Sequence, residues 1–472
     1  MSDDLRDLNF AYEALVQARP GYKLAEDFYN GIVKEVYSSP QVAALLEKFG
    51  LSDLPPFNLS HIPVDVVADK LRISQVTSDE VGVDPLLDEL SKSNELKEEL
   101  PSLLRDACKY GDAYMMVWPQ TDEDEAITGV TMRAQSPLTT RVFYSAKDPL
   151  IKAFAIQSWQ EGPKGAAVIR ADLHYADRIV RYSQPVKTTA GSKAAKWTPF
   201  TADGQPAELT NPFGEVPFFH YRTGRTYGIP EHINAYGPQS AINKLITSHL
   251  ATVDFQSFPQ RYALLDPKAD QSGSERGPLD DDDTEDGPGA GSASQSQLAA
   301  SPAAVWQLRG MSSVGEFSAA DASNFLEPID RYTKLMAQAT GVPMHAFDST
   351  GDAISGTSRR EADEPLYARV EALQEMFGAT HERAMEFALS VLDVEAEVSV
   401  HWAPIRKPRD LSLEDWAVIE KKHQLGFSME YLLTEAGYTL AQIKKLMRTN
   451  QVGADAPTIT ESADAETEGD TA

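Results

Sequence analysis

The feature that most constrains the fold of this chain is a long apolar stripe at residues 366–391. Its members recur at alternating steps of four and three residues, and they are Leu366, Val370, Leu373, Phe377, Thr380, Ala384, Phe387 and Val391. This spacing places them on one face of an α-helix of about eight turns. Because a stripe of this length requires a packing partner, we predict a long helix that carries these residues, ends by Leu392 and has one buried side.

A shorter helix is predicted before it, from Ala319 to Thr340. The residues on its predicted apolar face are Phe325, Ile329, Tyr332, Met336 and Ala339. Gly341 and Pro343 are typical of a helix end, and a polar loop from Met344 to Gly356 follows. On periodicity alone, two helices joined by a short exposed loop are compatible with an ordinary helical hairpin, and that interpretation stays open at this point.

Composition restricts the class of protein. The chain has 472 residues, of which 43 are basic and 71 acidic, with a formal net charge of −28. This excess argues against a protein that grips nucleic-acid phosphates over a broad surface, but it suits one past which DNA must slide. Cys108 is the only cysteine, so we expect no intrachain disulfide and a small core residue rather than a nucleophile. Without a signal-peptide pattern or an apolar run of ~20 residues, we expect a soluble protein that is not exported by that route.

Between residues 129 and 221 an alternation of period two replaces the helical spacing. The expected strands are residues 140–144, 151–159, 168–175, 179–182 and 216–221. They predict a small antiparallel β unit carried on a helical frame.

A further helix is predicted from Gly237 to Gln256, with Pro238 in its first turn. The residues on its apolar face are Ile242, Ile246, His249 and Val253. On such a face, we expect His249 to be a packed histidine rather than a metal ligand.

Two acidic segments interrupt these patterns. Residues 266–301 are rich in Gly, Ser and Ala and contain six carboxylates between Asp280 and Asp286, which predicts a solvated, flexible insertion. The alternative, a calcium loop, lacks the Gly at position six and the closing Glu of an EF-hand. The last residues, 451–472, predict a disordered acidic tail.

Catalytic signatures are absent from the sequence. It contains no G-x-x-x-x-G-K-[ST] loop, no G-x-G-x-x-G after a strand, no H-E-x-x-H and no G-x-S-x-G. The nine histidines show no metal-ligand spacing. We therefore predict no catalytic residues, no metal site and no cofactor.

Several short segments are each weak signals of a protein family, but their order and spacing together are more specific. They are Tyr110-Gly111-Asp112-Ala113-Tyr114, Gly214-Glu215-Val216-Pro217-Phe218, Gly228-Ile229-Pro230-Glu231, Ala241-Ile242-Asn243-Lys244, Phe258-Pro259-Gln260-Arg261, Val314-Gly315-Glu316-Phe317-Ser318-Ala319-Ala320-Asp321, Thr340-Gly341-Val342-Pro343 and Ile354-Ser355-Gly356. In these segments the chain resembles the portal proteins of tailed bacteriophages, in particular the SPP-one-type portals found in phages of actinobacteria. The resemblance extends from about residue 29 to residue 450.

The resemblance implies a mainly helical α+β portal fold with wing, stem, clip and crown regions and a small antiparallel β unit in the wing. The implied regions are a wing at 1–227 with its β unit at 129–221, a first stem helix at 228–256, a clip at 257–317 with the acidic insertion 266–301, a second stem helix at 318–340, a tunnel loop at 341–357, a long wing helix and strand at 358–409, a crown at 410–450 and the tail at 451–472.

The same resemblance assigns roles to individual residues. The implied tunnel-loop residues are Met344, Asp348, Asp352, Ser355 and Gly356. The implied stem-helix residues are Ile242, Ile246, Val253, Phe325, Ile329 and Met336, and the implied clip residues are Arg261 and Trp306. Asp348 and Asp352 are candidates for a repulsive, mobile contact with DNA, although a simple role in forming turns explains them equally well.

Portal proteins form a ring, usually of twelve subunits, at one vertex of the capsid, and double-stranded DNA passes through it. The implied partners are further copies of this chain, the terminase large subunit, head–tail connector (adaptor) proteins, and the major capsid and scaffold proteins. The implied location is the virion, with the host cytoplasm during assembly. Because every copy carries a charge of −28, we hypothesise that divalent cations such as magnesium assist assembly.

Two other classes of protein remain open at this stage. The first is a different phage head or head–tail connector protein built from the same helical hairpin. The second is an acidic cytoplasmic enzyme whose site is assembled from distant residues, since such sites leave no local motif.

Overall fold

The computed structural model describes residues 3–32, 57–122, 126–163, 167–186, 196–201, 206–224, 226–257, 261–265, 311–316, 322–347, 356–405, 413–436, 438 and 443. The chain divides into two compact units. Unit 1 comprises residues 1–22, 65–230 and 359–472, and unit 2 comprises residues 23–64 and 231–358.

The described elements are α-helices and antiparallel strands, which confirms the predicted α+β class. The helices are α1 Asp3–Asn30, α2 Ile62–Ala68, α3 Asp84–Ser93, α4 Leu96–Tyr110, α5 Tyr236–Ser257, α6 Leu326–Thr340, α7 Gly356–Val391, α8 Leu413–Gln424 and α9 Met429–Glu435. The strands are β1 Ile73–Thr77, β2 Asp112–Thr121, β3 Ile127–Gln135, β4 Thr140–Tyr144, β5 Lys152–Glu161, β6 Val168–His174, β7 Arg178–Pro185, β8 Thr198–Pro199, β9 Glu208–Thr210, β10 Phe218–Arg222, β11 Arg261–Leu265, β12 Met311–Glu316 and β13 Ser399–Trp402.

The strands between β2 and β10 form two sheets in unit 1 rather than the one β unit expected at 129–221. One sheet has the order β4-β5-β6-β7-β8, with β9 also paired to β7, and the other has the order β10-β2-β3. Phe218 of β10 lies opposite Met116 of β2, and Arg222 lies opposite Asp112. The difference arises because local periodicity reports that a segment is a strand but not which distant strand it pairs with.

The first sheet is covered by the amino-terminal part of α1. Leu8, Ala11 and Leu15 lie at helical spacing and are fully buried, and they share a core with sheet residues that include Ile156 and Leu173. One face of the first sheet is therefore buried against α1, as is common in antiparallel sheets.

The long helix predicted from the apolar stripe is present as α7. All eight residues of the stripe are buried, and the most exposed of them, Thr380, is 9% accessible. Within unit 1, His381 of α7 shares a 2.8 Å hydrogen bond with the Tyr221 hydroxyl. The predicted strand near residue 400 is β13, and it pairs with β1, which the sequence analysis did not anticipate.

Unit 2 is built around α5 and α6. Leu59, Ala235, Ile242 and Met336 form its buried core. Helix α5 begins at Tyr236, so Pro238 lies in its first turn as predicted. Helix α6 begins at Leu326 rather than Ala319 and follows a 3-10 turn at Ala322–Phe325, because Pro328 is favoured in a first turn, where its missing N–H costs little.

Some expectations fall outside the described residues. They are the acidic insertion with its calcium-loop alternative, the tail at 451–472 and most of residues 439–450 at the end of the implied crown. Of the helices that are described, none combines the length and the apolar character needed to cross a membrane. Cys108 is buried, as expected for a core residue.

Candidate functional site

Four of the predicted stem-helix residues meet in the core of unit 2. Ile242 of α5 and Met336 of α6 are fully buried, and Ile246 and Ile329 pack against the same cluster. Gln239 ties α5 to a neighbouring segment, because its side-chain oxygen accepts a 2.7 Å hydrogen bond from the Leu59 amide. The two helices therefore form one packed pair.

The remaining two predicted stem residues lie away from that core. Val253, near the end of α5, is 39% exposed. Phe325 immediately precedes α6, and its ring centroid lies 5.9 Å from that of His249. His249 thus packs against an aromatic ring, as expected of a histidine on an apolar face.

Helix α6 carries a second apolar face that points away from this core. Tyr332 is 38% exposed and Leu335 is 45% exposed, and Pro328 and Ala339 lie above and below them at helical spacing. The sequence analysis placed Tyr332 and Ala339 on the buried face, which was wrong. The buried residues are instead Thr333, Met336, Ala337 and Thr340, because the packed face is centred about one residue further along the helix than the stripe that was chosen.

The predicted tunnel-loop and clip residues are only partly described. Met344 begins a 3-10 turn at Met344–Ala346, and Gly356 is the first residue of α7. Arg261 begins β11, where it lies opposite Glu316 of β12. Asp348, Asp352, Ser355 and Trp306 lie outside the described residues, so the channel and clip roles stay predictions.

Unit 1 contains a buried polar cluster centred on Asp112, the first residue of β2. The Tyr22 hydroxyl donates a 2.6 Å hydrogen bond to Oδ2. Oδ1 lies 2.8 Å from Nε2 of His220 and accepts a 2.7 Å bond from the Gly228 amide. The carboxylate is 1% exposed and therefore has three partners in place of water.

The cluster has a defined protonation pattern. Burial raises the pKa of Asp112, but the hydrogen bonds from His220, Tyr22 and the Gly228 amide outweigh it and hold the pKa below its usual value. Burial lowers the pKa of His220. The carboxylate is therefore ionised and the imidazole neutral at pH 7, with Nε2 donating to Asp112 and Nδ1 accepting a 2.8 Å bond from the Tyr144 hydroxyl.

Two glycines let the backbone close around this carboxylate. Gly111 has a φ of +87°, and a Cβ there would lie 2.5 Å from the carbonyl carbon of Gly228. A Cβ on Gly228 would in turn overlap the Gly111 carbonyl oxygen. Both positions therefore exclude any side chain, because the opposing atoms are backbone and cannot swing aside.

Three of the segments that carry the portal resemblance meet in this cluster. Gly111 and Asp112 come from the first, Phe218 begins the strand that carries His220, and Gly228 opens the third. Sequence reasoning missed His220 and Tyr22, since neither has a local motif. The one available signal was an acidic residue directly after a helix-ending glycine, at the start of an apolar strand.

The chemistry of the cluster is that of a fixed hydrogen-bond network. An Asp–His–Tyr chain could move a proton, but burial raises the pKa of Tyr144 to about 12, which makes its hydroxyl a poor nucleophile at neutral pH. Among the described residues, no group of three or more His, Cys, Asp or Glu side chains is arranged to hold a metal ion. The network joins β2, β10 and the turn at Gly228.

Comparison with known proteins gives one strong match. The family described as "Phage portal protein, SPP1 Gp6-like" matches residues 69–432 of this chain. No curated protein matches it.

Solved structures of gene transfer agent (GTA) particles are distant neighbours. A chain from the neck of the empty GTA particle, computed with C6 symmetry, has 15% identity and a TM-score of 0.41, with 86% of this chain and 95% of that chain covered. A chain from the native GTA virion has 15% identity and a TM-score of 0.40, with coverages of 89% and 99%. At that level of similarity, the family assignment depends on the family match alone.

Proposed function

Because this chain belongs to the SPP1 Gp6-like family of phage portal proteins, a family of structural proteins rather than enzymes, we propose that it forms the portal ring of a phage head. Copies of the chain associate head to tail around a central channel, and such contacts close into a ring when the rotation between subunits allows it. Double-stranded DNA passes through the channel during packaging and ejection.

The observation that carries the proposal, besides the family, is the exposed apolar face of α6. Tyr332 and Leu335 are large apolar side chains that face solvent in a single chain, and they lie on a helix whose opposite side is already packed in the core of unit 2. An exposed apolar stripe beside a packed one is typical of a helix that contacts a neighbouring subunit. In the ring, the α5–α6 pair is the stem, and this face contacts the next copy.

The net charge supports passage rather than capture of DNA. A chain with a formal charge of −28 repels phosphates at its surface instead of condensing them. We propose that Asp348 and Asp352, between α6 and α7, face the channel and keep DNA mobile. Divalent cations would then screen the repulsion between copies during assembly.

The partners follow from the same proposal. The terminase large subunit supplies the energy of packaging and docks at the clip, which includes β11 and β12. Head–tail connector proteins replace it there when packaging ends, and the major capsid and scaffold proteins surround the ring. The protein then resides at the portal vertex of the virion after assembly in the host cytoplasm.

The test combines negative-stain electron microscopy with the mass of the particles in solution. We expect rings with a central hole from the unaltered protein, and at least a ~10-fold lower ring fraction for Leu335→Asp, because a buried charge in an interface is costly. Gln338→Asp adds the same charge to an exposed position elsewhere on α6, so we expect it to leave ring formation unchanged.

Two results would contradict the proposal. One is a protein that stays monomeric even with scaffold protein and magnesium present. The other is ring formation by Leu335→Asp at the level of the unaltered chain, which would remove the α6 face from the interface.

A further inference from the structure

A cavity of about 350 Å3 in unit 1 is lined by an excess of positive side chains. Lys152, Arg222 and Arg383 contribute three cations, and Glu215 contributes the one carboxylate. In a chain whose formal charge is −28, such a local reversal of sign needs an explanation. The proposed function assigns no role to this cavity.

The lysine already has its partners. Its Nζ lies 2.5 Å from Oε1 of Glu215 and donates a 2.8 Å hydrogen bond to the carbonyl oxygen of Val216. These contacts fix the ammonium group in the wall of the cavity. The single carboxylate of the lining is therefore engaged by Lys152.

The two arginines are held in place but are not neutralised. Arg222 lies over the ring of Tyr144, with Cζ 4.7 Å from the centroid, and its NH1 donates to the Thr226 carbonyl oxygen. Arg383 donates from Nε to the Ala379 carbonyl oxygen on its own helix. Within the described part of the chain, no carboxylate forms an ion pair with either guanidinium group, so several donors of each remain for a ligand.

The other titratable groups of the lining do not offset this charge. Burial lowers the pKa of Lys152, Glu215 raises it, and the like charge of Arg383 lowers it further. His220 also lines the cavity, but burial lowers its pKa and keeps it neutral. Three cations and one carboxylate leave an excess of two positive charges.

We propose that this cavity binds a phosphate dianion, either inorganic phosphate or the terminal phosphate of a small phosphomonoester. A dianion matches the excess of two charges, and guanidinium groups bind phosphate oxygens through paired N–H donors. A carboxylate or a phosphodiester carries one charge and would leave one cation uncompensated. The volume lies at the lower end of the range for small-ligand pockets, about 300–1,000 Å3, and is too small for a nucleic-acid duplex.

Isothermal titration of the full-length protein with inorganic phosphate at low ionic strength tests the site. We expect saturable binding that Arg383→Gln and Arg222→Gln each weaken at least about 10-fold, as loss of a charge-assisted contact does. Arg6→Gln removes an exposed guanidinium of the same unit, outside the cavity, and should bind as the unaltered chain does. Glu215→Gln should tighten binding by about threefold, because it removes the one charge that repels the ligand.

Two further ligands test whether the site binds free phosphate or the phosphate of a phosphomonoester. Adenosine monophosphate that binds more tightly than phosphate identifies a phosphomonoester as the ligand, and weaker binding identifies the free ion. Dimethyl phosphate that binds as tightly as phosphate would overturn the proposal, as would an equal loss of affinity in Arg6→Gln and Arg383→Gln. Should Arg222→Gln fail to fold, Arg383→Gln decides the matter, because Arg383 is exposed and its replacement leaves the core intact.

Discussion

The Asp112 cluster of unit 1 and the α5–α6 pair of unit 2 differ in what they bury. The cluster buries a charged group, whereas the helix pair leaves large apolar side chains exposed. In the cluster, the Asp112 carboxylate is 1% exposed, and Tyr22, His220 and the Gly228 amide of the same unit supply its hydrogen bonds. On α6, the side chains of Tyr332 and Leu335 are each more than one third exposed, although the opposite side of the helix is packed in the core of unit 2. Buried polar groups whose hydrogen bonds are all formed within the unit stabilise its fold. Apolar side chains that stay exposed in the single chain provide contact area for assembly.

Removal of the central carboxylate should have the largest effect on folding. Asp112→Ala leaves the Tyr22 hydroxyl, the His220 imidazole and the Gly228 amide without their acceptor, so we expect the free energy of unfolding to fall by about 4 kcal/mol. Denaturation in urea measures it. Asp112→Asn keeps the shape and one acceptor oxygen, and it should lose about half as much. Equal losses in both variants would show that volume, not hydrogen bonding, governs this site.

We expect the second largest effect on folding from a side chain added at the close backbone contact between Gly111 and Gly228. Gly228→Ala places a methyl group against the Gly111 carbonyl oxygen, and we expect a loss of about 3 kcal/mol in the free energy of unfolding because the backbone must move. Gly21→Ala is the matched control. It lies inside α1, and no atom beyond its chain neighbours and the adjacent helix backbone lies within 4 Å of the added Cβ, so we expect it to stabilise the protein by about 0.5–1 kcal/mol. A tolerated Gly228→Ala would mean that the turn adapts without cost.

The smallest effect is expected on the exposed face of α6. Leu335→Ala should change the free energy of unfolding of the unassembled chain by less than about 0.5 kcal/mol, because the side chain is 45% exposed. Met336→Ala, one residue along and fully buried, should cost about 2–4 kcal/mol. If both variants cost the same, the exposed face would belong to the core, and the contrast between the two regions would disappear.

The helices were predictable from the sequence because their information is local. The stripe from Leu366 to Val391 specified α7 and its buried side, since helical spacing fixes a face without reference to any other segment. The same logic misplaced Tyr332 on the buried side of α6. Two apolar faces on one helix give overlapping periodicities, and only the packing partner decides which face is inside.

The polar cluster could not be predicted in the same way. Asp112 and His220 are separated by about a hundred residues, and their contact depends on the pairing of β2 with β10. The sequence segments around them carried the family resemblance, but nothing local indicated that Gly111 and Gly228 face each other. Long-range backbone contacts of this kind appear only when the fold is known.

The pairing of β11 with β12 has a consequence for the free-energy cost of changing the length of the chain between them. Leu265 lies opposite Met311, so the segment of residues 266–310 starts and finishes at adjacent points of one ribbon. Closing a loop costs free energy that grows slowly with its length, by about 0.6 kcal/mol for each doubling. A change in the number of residues between Leu265 and Met311 therefore adds little to the free-energy cost of bringing the two strands together.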